Sequence, residues 1–142
     1  MVSSPPKSPG VLEAAVYVTD LDATEAFYSG LLGLEVITRV EGRHVFFRCG
    51  ESVILTFIAN ATQIPPAPDA RLPVPPHGAT GPGHVCIASD AQTLEDWETY
   101  LKDNDVEIEA DFTWPVGARS IYLRDPAGNS VEIADRGLWR RG

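Results

Sequence analysis

Cysteine is scarce in this chain: there are two, Cys49 and Cys86. They are isolated in sequence, with no CxxC and no nearby His pair, which argues against a disulfide framework or a zinc ribbon. Both read as small buried thiols of a reducing compartment. No apolar run is long enough to span a bilayer. The opening MVSSPPKSPG lacks the apolar stretch of a secretory signal, so a cytoplasmic protein is expected. Positive charge is also short. Lys and Arg number 11 against 20 Asp and Glu, a net charge of −9. Phosphate backbones and anionic membrane surfaces repel such a chain, so neither nucleic acid nor membrane is expected as a partner. The acidic surface names no substrate by itself; its ordinary role is solubility. Hydrophobic residues at 44% and charged residues at 22% are those of a folded domain, not a disordered one. A length of 142 residues allows one compact domain, or two small modules sharing one core.

The pattern favours two copies of one unit. Residues 1–10, rich in Ser, Pro and Gly, read as a tail. The run 11–18 (VLEAAVYV) reads as a strand. Asp20 to Asp22 open a helix over roughly 22–33, with Ala23, Ala26, Phe27 and Leu31 at helical spacing and Gly33 suited to its C-terminal cap. Strands are predicted at 34–41, 43–49 and 52–58, with turns at Glu41-Gly42 and Gly50-Glu51. Residues 59–81 carry Pro65, Pro66, Pro68, Pro73, Pro75 and Pro76. Proline lacks the backbone donor that sheet and helix need, so this stretch reads as a linker. The order then returns: a strand at 83–88, a helix at 92–104 with Leu94, Trp97 and Leu101 on one stripe, and strands at about 106–112, 117–124 and 129–134. The expectation is an α+β fold of two βαβββ modules, 11–58 and 82–135, forming one curved mixed sheet with helices outside. Residues 136–142 read as a C-terminal tail.

Side chains alternate along a strand, so each module-opening strand has a β-branched face for the helix and an opposite face for the concavity. Glu13 and His84 fall on the concave face at equivalent places in the two copies. In the closing strand of the second module, Glu132 lies opposite Val131 and Ile133 and points the same way. Counted from Gly50 and Gly128, its counterpart in the first module is Ile54. Each ligand-type residue has a plain alternative when taken alone. Glu13 can be a solvated strand residue, His84 a hydrogen-bonded core histidine, and Glu132 a half-exposed strand position. Three of them at repeat-equivalent inner positions point to a divalent metal.

VYVTDLDATEAFYSGLLGLEV, GPGHVCIAS and YLRDPAGNSVEI together resemble the vicinal-oxygen-chelate superfamily, the glyoxalase/bleomycin-resistance/dioxygenase group, over roughly residues 11–135. The resemblance implies Glu13, His84 and Glu132 as metal ligands. It also shows a departure, because the first ligand is usually His or Gln. Glyoxalase I and methylmalonyl-CoA epimerase use four protein ligands, and an aliphatic residue at the fourth place makes both poor specific matches. The three-ligand set resembles fosfomycin-resistance enzymes and extradiol dioxygenases. Two carboxylates and one imidazole would neutralise a cation and leave positions open for substrate oxygens or water. Mn, Fe, Ni, Zn and Mg are all admissible. The two-His-one-carboxylate pattern of oxygen-activating iron is not met, which counts against dioxygenase chemistry.

By the same resemblance, Tyr122 stands where a tyrosine often meets the metal, and its alternative is a core aromatic. Arg119 and Ser120 stand where an anionic substrate is met, and Arg119 is otherwise a strand-edge cation. His44 and Phe46, on the matching strand of the first module, are candidate pocket residues. His77, in PPHGATGPG, reads as a solvated loop histidine rather than part of a lid. The leading expectation is a metal-dependent enzyme on a small oxygen-rich or electrophilic substrate, by isomerase, lyase or detoxifying-transferase chemistry, assembled as a homodimer. The alternative is a metal-free drug-sequestering protein of the bleomycin-resistance kind, for which an acidic chain with Trp97, Trp114 and Trp139 would be suited.

Overall fold

A computed structural model describes residues 3–140; the outermost residues of both predicted tails lie outside this range. The first module runs β1 (Glu13–Tyr17), α1 (Leu21–Glu25) continued by a π-helical segment (Ala26–Leu31), β2 (Glu35–Val40), β3 (His44–Cys49) and β4 (Ser52–Phe57). One short turn of helix, α2 (Ala59–Thr62), opens the linker. The second module repeats the order with β5 (His84–Ser89), a 3-10 turn (Ala91–Thr93), α3 (Leu94–Asp103), β6 (Ala110–Thr113), β7 (Arg119–Arg124) and β8 (Ser130–Asp135). Local chemistry sets the first helix: the Asp20 side chain accepts from the Ala23 amide at 3.0 Å, and Gly33, at φ 76°, turns the chain out of it.

Each module is a four-stranded mixed sheet, ordered β1-β4-β3-β2 and β5-β8-β7-β6. β1 runs parallel to β4 and β5 parallel to β8, and the other pairings are antiparallel. No backbone ladder joins the two sheets among the described residues. One apolar core joins them instead. Val16, Phe27, Tyr28, Val45, Phe47 and Ile54 pack with Ile87, Leu94, Leu101, Ile121, Val131 and Ile133 on the helix side.

A polar clip crosses the same boundary and explains the DPAGN turn. The Asn129 side chain donates to the Tyr17 carbonyl at 2.8 Å and accepts from the Gly83 amide at 2.7 Å. It is held by Asp125, which also accepts from the amides of Ala127 and Asn129 and from the fully buried Tyr28 hydroxyl at 2.8 Å. Buried polar groups are tolerated only when partnered, and here each is. Burial beside the Asp125 charge pushes the Tyr28 phenol far up. No helix among the described residues is long and apolar enough to cross a membrane.

The strand register corrects one sequence count. Arg48 faces Val53 across the first closing hairpin, whereas Arg124 faces Ser130 across the second, whose turn is one residue longer. A one-residue slip reverses which face a side chain occupies. Tyr122 pairs with Glu132 as Phe46 pairs with Leu55. The counterpart of Glu132 is therefore Leu55, on the concave side, while Ile54 is buried in the core at 4% exposure. Either way the fourth inner position is aliphatic.

Candidate functional site

The second module carries a compact polar constellation on its concave face. His84 Nε2 lies 3.2 Å from Glu132 Oε1. Its Nδ1 faces the Ser130 carbonyl at 3.0 Å, and a carbonyl can only accept, so Nδ1 carries the proton in the neutral ring. Nε2 then presents a lone pair to a carboxylate oxygen. Two acceptors at that distance are reconciled by a proton on the ring or by a cation between them. The spacing suits a cation, because adjacent ligands at about 2.0–2.2 Å from a metal stand about 3 Å apart.

Glu132 is buried to 5% exposure. Its second oxygen, Oε2, accepts from the Ser120 hydroxyl at 2.5 Å, and that hydroxyl accepts from the Trp114 indole at 2.8 Å. This relay from Trp114 through Ser120 holds the carboxylate in one orientation. Such outer partners fix the geometry of metal ligands. The Tyr122 ring stacks near His84 with centroids 6.2 Å apart, and Phe112 stacks on its other side at 5.7 Å. Burial, then the Glu132 charge, pushes the Tyr122 phenol up. The same two causes push the Cys86 thiol, beside Glu132, up to about 12; the residue as a whole is exposed and Cys49 is half-buried, which corrects the reading of both as buried thiols. Both groups are therefore protonated at neutral pH.

The first module makes a second, open concavity of about 740 Å³, lined by Glu13, Tyr17, His44, Phe46 and Leu55 among others. His44 stacks on Phe46 with centroids 4.0 Å apart. It accepts from the Arg43 guanidinium at 2.7 Å through Nδ1. Burial, then the Arg43 charge, lowers its pKa. The linker is not a free spacer. Val74, Pro75, Pro76 and His77 wall this concavity. His77 is bonded to the Tyr17 hydroxyl through Nδ1 at 2.6 Å and clasped by Thr62 through two further hydrogen bonds. The reading of His77 as a solvated loop residue is therefore corrected. Tyr17 and Arg43 were not among the candidate residues drawn from the sequence, and His77 was set aside there as a loop residue. Tyr17 had a signal, since it alternates in phase with Glu13.

The candidates thus fall into two groups. His84, Glu132, Ser120 and Tyr122 come together in the second module; Glu13, His44 and Phe46 line the concavity of the first. Among the described residues, no three His, Cys, Asp or Glu side chains converge within one chain to hold a metal, so Glu13 is not brought to the His84–Glu132 pair. Arg119 faces the helix side. It is tied to Glu98 of α3 at 2.7 Å and to Asp111 at 2.6 Å, which leaves it no free fork for a substrate on the concave face.

The family model for the Glyoxalase/Bleomycin resistance protein/Dioxygenase superfamily matches residues 10–133. A solved lactoylglutathione lyase from Agrobacterium tumefaciens is 40% identical, with 97% of this chain and 100% of that one covered and a TM-score of 0.86. An integron cassette protein from V. cholerae is 23% identical, covering 94% of this chain and 99% of that one, at a TM-score of 0.68. A glyoxalase/dioxygenase from Nostoc punctiforme is 23% identical, covering 95% and 96%, at 0.65. The last two show the fold alone.

Proposed function

The chain belongs to the glyoxalase/bleomycin resistance protein/dioxygenase superfamily, and from that premise we propose that it is a metal-dependent enzyme whose divalent cation is held by His84, Glu132 and Glu13. The observation that carries the reading is the His84 Nε2–Glu132 Oε1 approach of 3.2 Å, with each group oriented from behind, by the Ser130 carbonyl and the Ser120 hydroxyl. A cation between a ring nitrogen and a carboxylate oxygen accounts for this approach as well as a proton on the ring does, and the family's fold supports the cation. Glu13 stands apart from them within one chain, so the proposal takes it from a second copy. A homodimer would then close the concave face of each first module over the second module of its partner. The exposure of Val11 and Leu12, at 77% and 73%, beside a β1 edge that pairs with no strand among the described residues supports such an assembly.

When bound, the cation would act as a Lewis acid on substrate oxygens; Mn, Fe, Ni, Zn and Mg all suit the donor set. The chain's own residues do the rest. Tyr122, protonated and beside His84, can donate a hydrogen bond or a proton to an oxygen at the site. Ser120 keeps the Glu132 carboxylate from rotating. The stacked rings of His44 and Phe46 offer a flat wall for the remainder of a small oxygen-rich or electrophilic substrate.

The relative's name, lactoylglutathione lyase, is the activity that the ligand count set aside, and Leu55 keeps the fourth position aliphatic. That activity is therefore the first to assay. Thiol addition to epoxides and isomerisation of 2-oxo compounds follow. The deciding experiment is elemental analysis after reconstitution with each metal in turn, on wild type and Glu132→Ala. About one ion per chain in the wild type and none held tightly in the variant is expected. Equal occupancy in both refutes the site. Tight binding of a bulky cationic drug by metal-free protein, with no metal-supported turnover, would put drug sequestration in its place.

A further inference from the structure

The first-module concavity contains a cation that the proposed metal chemistry does not use. In this acidic chain four of the eight arginines among the described residues are held in ion pairs: Arg39 to Asp22, Glu25 and Glu41, Arg119 to Glu98 and Asp111, Arg124 to Glu109, and Arg136 to Asp90. Arg43 is the one without such a partner that lines the concavity. It is half-buried. One of its N–H groups donates to His44 Nδ1 at 2.7 Å, and the guanidinium lies 5.7 Å from the Phe57 ring centre. These two contacts hold the fork in place and leave most of its donors uncommitted. Because His44 Nδ1 accepts, the neutral ring carries its proton on Nε2, and no described group accepts from that nitrogen. Two adjacent donors, one permanently charged, thus stand beside the rings of Phe46 and Phe57 with no acceptor supplied by the chain.

We infer that Arg43 is a specificity-determining residue, and that with His44 Nε2 it receives an anionic group, a carboxylate or its like, on a substrate whose apolar body lies against Phe46 and Phe57. The strand register gives the reach of that substrate. Arg43 immediately precedes His44, which pairs with Phe57 and through it with Tyr17. Glu13 lies four residues back along β1, about 13 Å at the rise of a strand. The anionic group therefore sits far from the atoms that would meet a metal, and the substrate is elongated rather than compact. Glu13, the acidic residue lining the same cavity, is at the opposite end, where it does not neutralise Arg43. The term "substrate" rests on the reading above; recognition of the anion does not, since it needs the first module alone.

The test uses full-length protein and three probes of one shape: 2-naphthoate, 2-naphthamide and 2-naphthylmethylammonium, titrated by calorimetry with and without Mn. Wild type is expected to bind naphthoate at least about tenfold more tightly than the amide, the scale of a hydrogen bond to a charged group, and to bind the cation most weakly. Arg43→Gln should bring the naphthoate-to-amide ratio close to one. Arg71→Gln, the same charge change on an exposed residue outside the cavity, should leave it intact. Equal binding of all three probes, no measurable binding, preference for the cation, or equal loss in both variants overturns the inference. Metal content is measured on the same samples. A failure here with metal retained leaves the metal site standing, and loss of metal with the ratio intact leaves Arg43 standing.

Discussion

Replacing Ser120 by Ala separates a structural carboxylate from a metal ligand. Ser120 is fully buried, and its hydroxyl stands between the Trp114 indole at 2.8 Å and Glu132 Oε2 at 2.5 Å. The substitution removes both bonds and leaves a buried carboxylate oxygen without its donor. A hydrogen bond to a charged group contributes about 1.5–3 kcal/mol. The Trp114 indole loses a neutral acceptor, whose share is the smaller, about 1 kcal/mol or less. A loss of about 2–3 kcal/mol follows, which for a chain of this length lowers Tm by roughly 6–12 °C. If Glu132 binds a metal, freeing its second oxygen also lets the ligand rotate, and affinity should fall about 10- to 100-fold. Calorimetric melting gives the first quantity and competition with a chromophoric chelator the second. A lowered Tm with unchanged metal affinity would refute the ligand role and leave Glu132 as a buried structural carboxylate. An unchanged Tm would refute the relay itself.

Three further outcomes are expected. Tyr122→Phe keeps the ring that stacks on Phe112, so fold and metal content should persist while kcat falls by ~10²-fold or more; lowered Tm with unchanged turnover would make Tyr122 a packing residue. If Glu13 serves a partner's site, mixing Glu13→Ala with Glu132→Ala chains should restore about one intact site per heterodimer. A stable monomer in light scattering at micromolar concentration, or no recovery on mixing, would refute that arrangement. Asp125→Ala strips the partner from the buried Tyr28 hydroxyl and from the Asn129 clip, and should destabilise by about 3 kcal/mol or more, measured by urea unfolding; a loss below about 1 kcal/mol would mean the clip does not join the modules.

Much of this protein is local and was legible in the chain. The alternation of VLEAAVYV and GHVCIA determines which side chains face the concavity, because a strand admits only two faces. Asp20 and Gly33 mark the ends of the first helical stretch through capping and positive φ. The repeated order of strands and helix defines two modules, and the resemblance of the VTDL, FY, LGL and RDPAGNSVE motifs points to the family. Residues 106–109 were expected in strand, but β6 begins at Ala110; Val106 and Ile108 instead pack on the core, so their apolar alternation reported burial rather than pairing.

What tertiary structure decided depends on distances between segments far apart in sequence. The extra residue in the DPAGN turn moves the counterpart of Glu132 from Ile54 to Leu55, and a hairpin's register is settled only when both strands pair. Arg119 is drawn to α3 because Glu98 and Asp111 reach it first. The proline-rich linker returns as a wall because Thr62 and Tyr17 hold His77. Equivalent positions in two copies of a unit share a face but not a place. That is why Glu13 can match His84 in pattern and still stand apart from it in space.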